Sequence, residues 1–401
     1  MTMTFGERMR ALMGERGMSL RGLARTIHYD VGYLSKVAND RKRPSLQAAQ
    51  RIDGALEAGG ELVALERSGV SSGMWDGDFA FDDEINALEF AERVAASDVG
   101  NETLTRLELA IDDLATAYPS TPPGELLERV RRYLSYVVRL IDARKTLSEH
   151  RRLLVVGGWL SLLASTCHID LRQFPAATAR LRTAAQMARE TEHAEIAAWC
   201  LETEAWQAVT NGDYRRALSL TQGAQTVAPR GGSAYIQATA QEARVWARLG
   251  AGPETRDALD RVAALVSPLP MPDRPEHHYR YDPAKSDAYI ATTLSWLGDR
   301  AAEPYARQVI ARMESTKDGS PRPRRAVSAR LDLALALLAS EQFDEAGQLT
   351  LMAVTSGLLV PSNYWRAREV ITTIEAHRMP ASVELREAFR ELYAPTRSDQ
   401  G

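Results

Sequence analysis

The chain has 401 residues, 45% apolar and 25% charged, with a formal net charge of −4 and only two cysteines. This length exceeds what one ordinary core organises, so two or more units are expected, and the composition excludes a disordered or collagen-like chain. Two cysteines exclude a disulfide framework and fit a reducing cytoplasm. No basic stretch followed by an apolar run opens the chain, and no run approaches ~18 consecutive apolar residues, so neither a secretory signal nor a membrane span is expected.

The charge is unevenly spread. Residues 1–53 hold ten basic side chains against five acidic ones, a balance of +5, and the remainder therefore carries −9. A basic head on an acidic body suits a small part that meets phosphate joined to a larger part that does not. Of the 49 basic residues 44 are arginine, which points to a GC-rich genome rather than to any chemistry.

Phe5, Met9, Leu12 and Met13 recur at helical spacing and predict a first helix over about Thr4–Arg16, closed by Gly17. Ser19 is placed to cap a second helix whose inner side is Leu20, Leu23, Ala24 and Ile27. His28-Tyr29 makes a tight turn, and Asp30 can cap a third helix, Val31–Val37. Leu34 and Val37 point inward there, so Val31, Gly32, Ser35 and Lys36 point outward. Pro44-Ser45 opens a fourth helix, with Leu46, Ala49, Ile52 and Leu56 completing a small core before Gly59-Gly60. Two short helices joined by a tight turn, then a loop carrying Arg41, Lys42 and Arg43, is how a helix-turn-helix offers one helix to the major groove and cations to phosphates. Lys36 can donate to a guanine edge and Val31 can pack on a thymine methyl. Tyr33 and Ser35 can reach phosphate, and the loop cations add salt-dependent affinity.

The order Leu23-Ala24, tight turn, Tyr33-Leu34-Ser35-Lys36, then Asn39-Asp40-Arg41-Lys42-Arg43-Pro44-Ser45 resembles the XRE family of lambda-repressor-like regulators, of the actinobacterial type. The resemblance covers about the first 60 residues. It implies that Val31, Gly32 and Lys36 face bases and that Asn39, Arg41 and Arg43 grip the backbone. Two departures stand out: Leu20 occupies the place of the family's usual phosphate-binding glutamine, and Gly32 supplies no side chain and weakens its helix by ~1 kcal/mol. Sparse base readout, with a contribution from DNA shape, is expected.

Residues 68–83, SGVSSGMWDGDFAFDD, contain no basic residue and read as a linker, with Trp75, Phe79 and Phe81 able to dock. The expected organisation is a DNA-binding domain over 1–66, a linker over 67–83 and a helical body over 84–395. Beyond Glu84 the pattern is helical throughout, broken near 119–124, 228–232, 267–275 and 318–323. A weak internal repeat runs through it. Phe174/Ala177/Ala184, Tyr214/Ala217/Ala224 and Phe343/Ala346/Ala353 each follow a polar turn, and Ser165, Ala205 and Ala334 lie nine residues before the aromatics. Leu249-Gly250 and Leu297-Gly298-Asp299 mark the turns of two fuzzier units. Residues 211–217 (NGDYRRA), with Ala224 and Pro229, resemble the tetratricopeptide repeat, although these units exceed the usual 34 residues. The fold class expected is all-α: a helix-turn-helix domain followed by a tetratricopeptide-like α-solenoid with a concave surface. The resemblance implies that such bodies sense or dimerise.

Cys167, His168, His193 and Cys200 match no zinc spacing, so no metal and no cofactor is expected. The run His277–Asp282 reads as a capped loop before a helix at about Pro283, with a ligand or dimer surface as the alternative, and Arg322, Arg324 and Arg325 as a solvated loop. The tryptophans at 159, 199, 206, 246, 296 and 365 read chiefly as solenoid filling. Trp206, Arg244, Trp246, Tyr289 and Arg330 are the candidates for an inward groove that receives a peptide or small molecule. No phosphate-binding glycine loop, Gly-x-Ser-x-Gly or His-Glu-x-x-His is present, which gives enzymatic activity no support. The function expected is a cytoplasmic, nucleoid-associated, homodimeric transcriptional regulator bound to double-stranded DNA. The alternative is a protein-interaction adaptor with a vestigial head.

Overall fold

The computed structural model describes residues 3–68, 96–272, 277–314 and 322–393. Two compact units emerge, Met1–Glu92 and Arg93–Gly401. The linker aromatics Trp75, Phe79 and Phe81 lie outside the described residues.

The first unit has five described helices: α1 (Phe5–Glu15), α2 (Leu20–Ile27), α3 (Val31–Ala38), α4 (Leu46–Ala55) and α5 (Glu61–Ser68). Short helices need their ends satisfied, and here side chains do it. Thr4 and Glu7 close a capping box on α1. Ser19, Asp30 and Ser45 accept from the backbone N–H three residues on at the starts of α2, α3 and α4. Each such cap stabilises a helix by about 1 kcal/mol. Met9, Leu12, Leu23, Ile27, Leu34, Val37, Ile52, Leu56 and Leu62 form one closed core. Leu46, expected in that core, is 40% exposed. Leu62 of α5 fills the core instead, and buried Asp53 anchors the start of α5 by accepting from Gly60 N and Leu62 N at 2.8 and 2.9 Å.

The second unit runs α6 (Asn101–Ala117), α7 (Pro123–Asp142), α8 (Leu147–Asp170), α9 (Phe174–Glu190), α10 (Ala194–Thr210), α11 (Tyr214–Val227), α12 (Ser233–Arg248), α13 (Gly252–Val266), α14 (Pro283–Leu297), α15 (Ala302–Glu314), α16 (Pro323–Leu338), α17 (Phe343–Thr355), α18 (Tyr364–Ala376) and α19 (Ser382–Glu391). No strand occurs among the described residues. From α8 onward each helix pairs with the next, and α8, α10, α12, α14, α16 and α18 also pack on one another in sequence. The even-numbered helices therefore form one layer and α9, α11, α13, α15 and α17 a second behind it.

The repeat residues sit at the seam of these layers. Phe174, Tyr214 and Phe343 are the first residues of α9, α11 and α17. Ala177, Ala184, Ala217, Ala224, Ala346 and Ala353 are wholly buried, as are Ser165, Ala205 and Ala334 on the preceding helices. Small side chains at these places let the paired backbones approach closely. The two fuzzier units keep the geometry with other residues. In α13 Thr255 and Val262 take the alanine places, and in α15 Ala306 and Met313 do so, all buried.

Helix α8 is long and apolar enough to cross a membrane by length and composition, its most apolar window reaching a mean hydropathy of 1.4. That window is 83% buried inside the body, which identifies α8 as a core helix.

Residues far apart in the chain meet inside the body. Arg324, at the start of α16, donates to Tyr118 O and Thr121 O at 2.6 Å and to Asp170 Oδ2 at 2.9 Å. Ser362 Oγ donates to Asp170 Oδ1 at 3.0 Å. The expectation of a solvated loop over Arg322–Arg325 is thus overturned at Arg324, which is buried. The segment 277–282 also runs inward: Tyr279 and Tyr281 are buried, and Asp282 caps α14 by accepting from Lys285 N at 3.0 Å. Lys285 Nζ gathers the carbonyls of His277, His278 and Arg280 at 2.6–3.0 Å.

Candidate nucleic-acid interface and body cavity

In the first unit α2, a turn and α3 follow in immediate succession. The turn needs a left-handed residue, and His28 supplies it at φ 56° as the C-cap of α2. Asp30 Oδ1 accepts from Tyr33 N at 2.9 Å and so starts α3. At Gly32 a Cβ would lie 3.0 Å from that same carboxylate oxygen. The glycine thus gives the capping aspartate room, a role its outward position in the sequence conceals. Its cost is a bare patch at the N-terminal turn of α3, where a recognition helix makes base contacts.

Val31, Gly32 and Lys36 are exposed, Tyr33 and Ser35 half-buried, and Leu34 and Val37 buried beneath them. Lys36 and the loop residue Arg41 make no ion pair among the described residues, and neither do Arg21 and Arg25 of α2, all four exposed. The loop after α3 is folded tightly onto it. Asn39 Nδ2 donates to Ser35 O at 2.7 Å, and the Lys36 carbonyl accepts from Arg41 N and Lys42 N at 2.8 and 3.2 Å. Asp40 Oδ2 accepts from Thr4 Oγ1 at 2.6 Å and Oδ1 from Gly6 N at 2.7 Å, tying the loop to α1. A Cβ at Gly6 would fall 2.6 Å from Asp40 Oδ2, so only glycine admits this clamp.

The three loop cations, alike in sequence, differ in structure. Arg41 is exposed and reaches outward unpaired among the described residues. Lys42 Nζ lies 5.4 Å from the Tyr33 ring centroid. Arg43 donates to the Glu66 carbonyl and sits 3.4 Å from its carboxylate, so it fastens the loop to the end of α5. Nothing in the pattern of residues 39–45 separates these roles. The helix over 61–68 that carries Glu66 had signals in Leu62 and Leu65, but the Gly59-Gly60 pair masks its start.

In the second unit the even-numbered helices and the 277–282 segment line a cavity of about 140 Å³. Of the candidate groove residues, Trp206, Arg244 and Tyr289 line it, on α10, α12 and α14. Trp246 and Arg330 do not. Trp246 Nε1 donates to Glu242 Oε1 at 3.3 Å, and Arg330 pairs with Glu314 across α15 and α16. The three that meet fall on the inner stripes of their helices, whereas Trp246 and Arg330 sit on flanks of theirs; the two cases have the same residue types and differ only in helical phase.

Other lining residues were not foreseen. Glu202, Gln237 and Gln241 are buried polar side chains, and Asp332 and Arg366 form a buried pair at 3.1 Å. Burial lowers the Arg366 guanidinium to about 10 and raises the Glu202 carboxyl above its ordinary range. A buried polar residue on an otherwise apolar helix face is the signal that could have found them.

A family model described as a helix-turn-helix domain matches residues 4–65. That range takes in α1 through α4 and most of α5. No curated protein matches the chain. The N-terminal unit therefore holds a helix-turn-helix domain, and a helical repeat body follows it.

Proposed function

We propose that this protein is a sequence-specific DNA-binding transcriptional regulator of the XRE type, with a tetratricopeptide-like body that dimerises and receives an effector. One observation carries this reading: α3 and its loop expose Lys36 and Arg41 on a closed five-helix core, with Ser35 and Tyr33 half-buried beside them and Leu34 and Val37 holding the helix from beneath. The loop cations supply salt-dependent affinity, and Lys36 with Val31 supply the little base readout there is. So small a footprint is doubled in a homodimer, whose two heads meet paired half-sites. The body regulates by binding rather than by catalysis. An effector that prefers one arrangement of the two heads shifts operator affinity by its differential affinity for the arrangements. Such a protein works in the cytoplasm, at the nucleoid.

The test is a map of bound genomic fragments with purified protein, repeated with the Lys36→Ala/Arg41→Ala double variant. The wild type enriches discrete sites with a fixed half-site spacing, and the variant loses them. Enrichment that is unchanged in the variant would exclude α3 as the reading helix. A stable protein complex with no DNA preference would favour the adaptor reading.

A further inference from the structure

Among the described residues Arg244, which lines the body cavity, makes no ion pair. Asp170 and Asp332, the two aspartates lining the cavity, are each paired with an arginine, Arg324 at 2.9 Å and Arg366 at 3.1 Å. Arg244 has no carboxylate within ion-pair distance among the described residues, although it is only 8% exposed. Its guanidinium carbon lies 3.6 Å from the Tyr289 ring centroid and 5.6 Å from that of Trp296, which fixes its orientation. Nη1 donates to Gln241 Oε1 at 3.3 Å, and Nε is buried with no hydrogen-bond partner. Burying an unpaired guanidinium is unfavourable unless something compensates it.

Two neighbours on the same helix are unsatisfied as well. Gln237, Gln241 and Arg244 follow one another at helical spacing on α12, and all three line the cavity. Gln237 spends its amide nitrogen on Glu202 at 2.8 Å and on Tyr289 at 2.5 Å, leaving buried Oε1 without a partner. Gln241 is left with an unpartnered buried Nε2. One stripe thus offers a charged N–H, a neutral amide N–H and an amide oxygen, with Trp206 and Tyr289 as aromatic walls.

We infer that this stripe binds a small organic carboxylate bearing a hydroxyl or amine, with Arg244 and Gln241 donating to the carboxylate and Gln237 accepting from the second group. An arginine fork with an adjacent amide donor matches the two oxygens of a carboxylate. The Glu202 carboxyl, raised above its ordinary range by burial, is engaged by Gln237 Nε2 at 2.8 Å. Size narrows the class further. A cavity of about 140 Å³ is close to the ~150 Å³ that holds a benzene ring, so the ligand has roughly six to ten non-hydrogen atoms. The inference rests on the reading of the body as the sensing part, and it names the chemical class sensed.

The experiment uses the full-length protein without DNA, so a failure here is separable from a failure of the DNA-binding reading, which fragment mapping tests. Thermal unfolding and calorimetric titration are run with 10 mM salicylate, L-malate and L-threonine. Neutral salicylamide and inorganic phosphate serve as controls. At least one carboxylate raises the Tm by about 2 °C or more, salicylamide and phosphate do not, and the shift disappears in Arg244→Gln. Arg244→Lys, which keeps the charge but loses the fork, retains a weakened shift. Arg244→Gln by itself leaves the ligand-free Tm unchanged or raises it, since it removes an uncompensated buried charge. An arginine with a merely structural role would give the opposite. No shift with any of the three carboxylates, an equal shift with phosphate or salicylamide, or a shift that survives in Arg244→Gln overturns the inference. Should Arg244→Gln prove unfolded, Gln241→Leu is read in its place and must lose the shift.

Discussion

Arg41 and Arg43 stand two residues apart in one basic loop, yet the structure separates what their removal does. Arg41 is exposed and has no partner among the described residues, so Arg41→Ala changes stability by no more than ~0.5 kcal/mol. If Arg41 meets a phosphate, its loss lowers the slope of log K against log salt by ~0.9. Between 50 and 200 mM salt that slope change is a factor of about 3.5 in the ratio of wild-type to variant affinity. Arg43 is held by the carbonyl and carboxylate of Glu66. Its ion pair is partly exposed, so Arg43→Ala costs up to ~1 kcal/mol of head stability and moves the salt slope by well under half as much as Arg41→Ala. Fluorescence anisotropy of a labelled random-sequence duplex, titrated with full-length protein across that salt range, measures both slopes without knowledge of the operator. Equal slope changes in the two variants would refute the division of roles. An unchanged slope in Arg41→Ala would refute the phosphate contact itself.

Two further outcomes concern the body. Arg324→Met strands the buried Asp170 and removes the tie between α16 and the ends of α6 and α8. A loss of about 3–5 kcal/mol is expected, and Arg324→Met/Asp170→Asn recovers more than half of it. Urea unfolding reads this, and a loss under 1 kcal/mol in the single variant would remove Arg324 from its role. Burial lowers the pKa of His168, His193, His277 and His278, His277 to about 4. The unfolded chain, with histidines near 6.5, therefore binds more protons between about pH 6.5 and pH 4, and stability falls as pH drops through that window. Urea midpoints should decline from pH 7 to 5, less steeply in His278→Phe, which keeps the ring against Tyr118; a flat wild-type profile would refute the linkage.

Local patterns made much of this protein legible. Caps such as Ser19, Asp30 and Ser45 act on their own next turn, so reading the sequence in order finds them. The aromatic–alanine–alanine spacing likewise marked where α9, α11 and α17 begin, because that spacing is set by one helix pair and needs no distant partner. The order of two helices and a basic loop was equally local, and it is the part the helix-turn-helix family model matches.

What the sequence could not decide were matters of long-range partnership. Arg324 reads as one more arginine in a basic run; only the tertiary fold brings Tyr118, Thr121 and Asp170, more than 150 residues away, to its guanidinium. Arg43 differs from Arg41 only because α5 delivers Glu66. Trp206, Arg244 and Tyr289 meet while Trp246 and Arg330 do not, since a rotation of a few residues along a helix decides which side chain faces the interior. Residue type and spacing fixed the helices, their caps and their seams. Which charges are paired and which are left for a ligand was settled by the tertiary fold, because pairing depends on distance in space and not on distance along the chain.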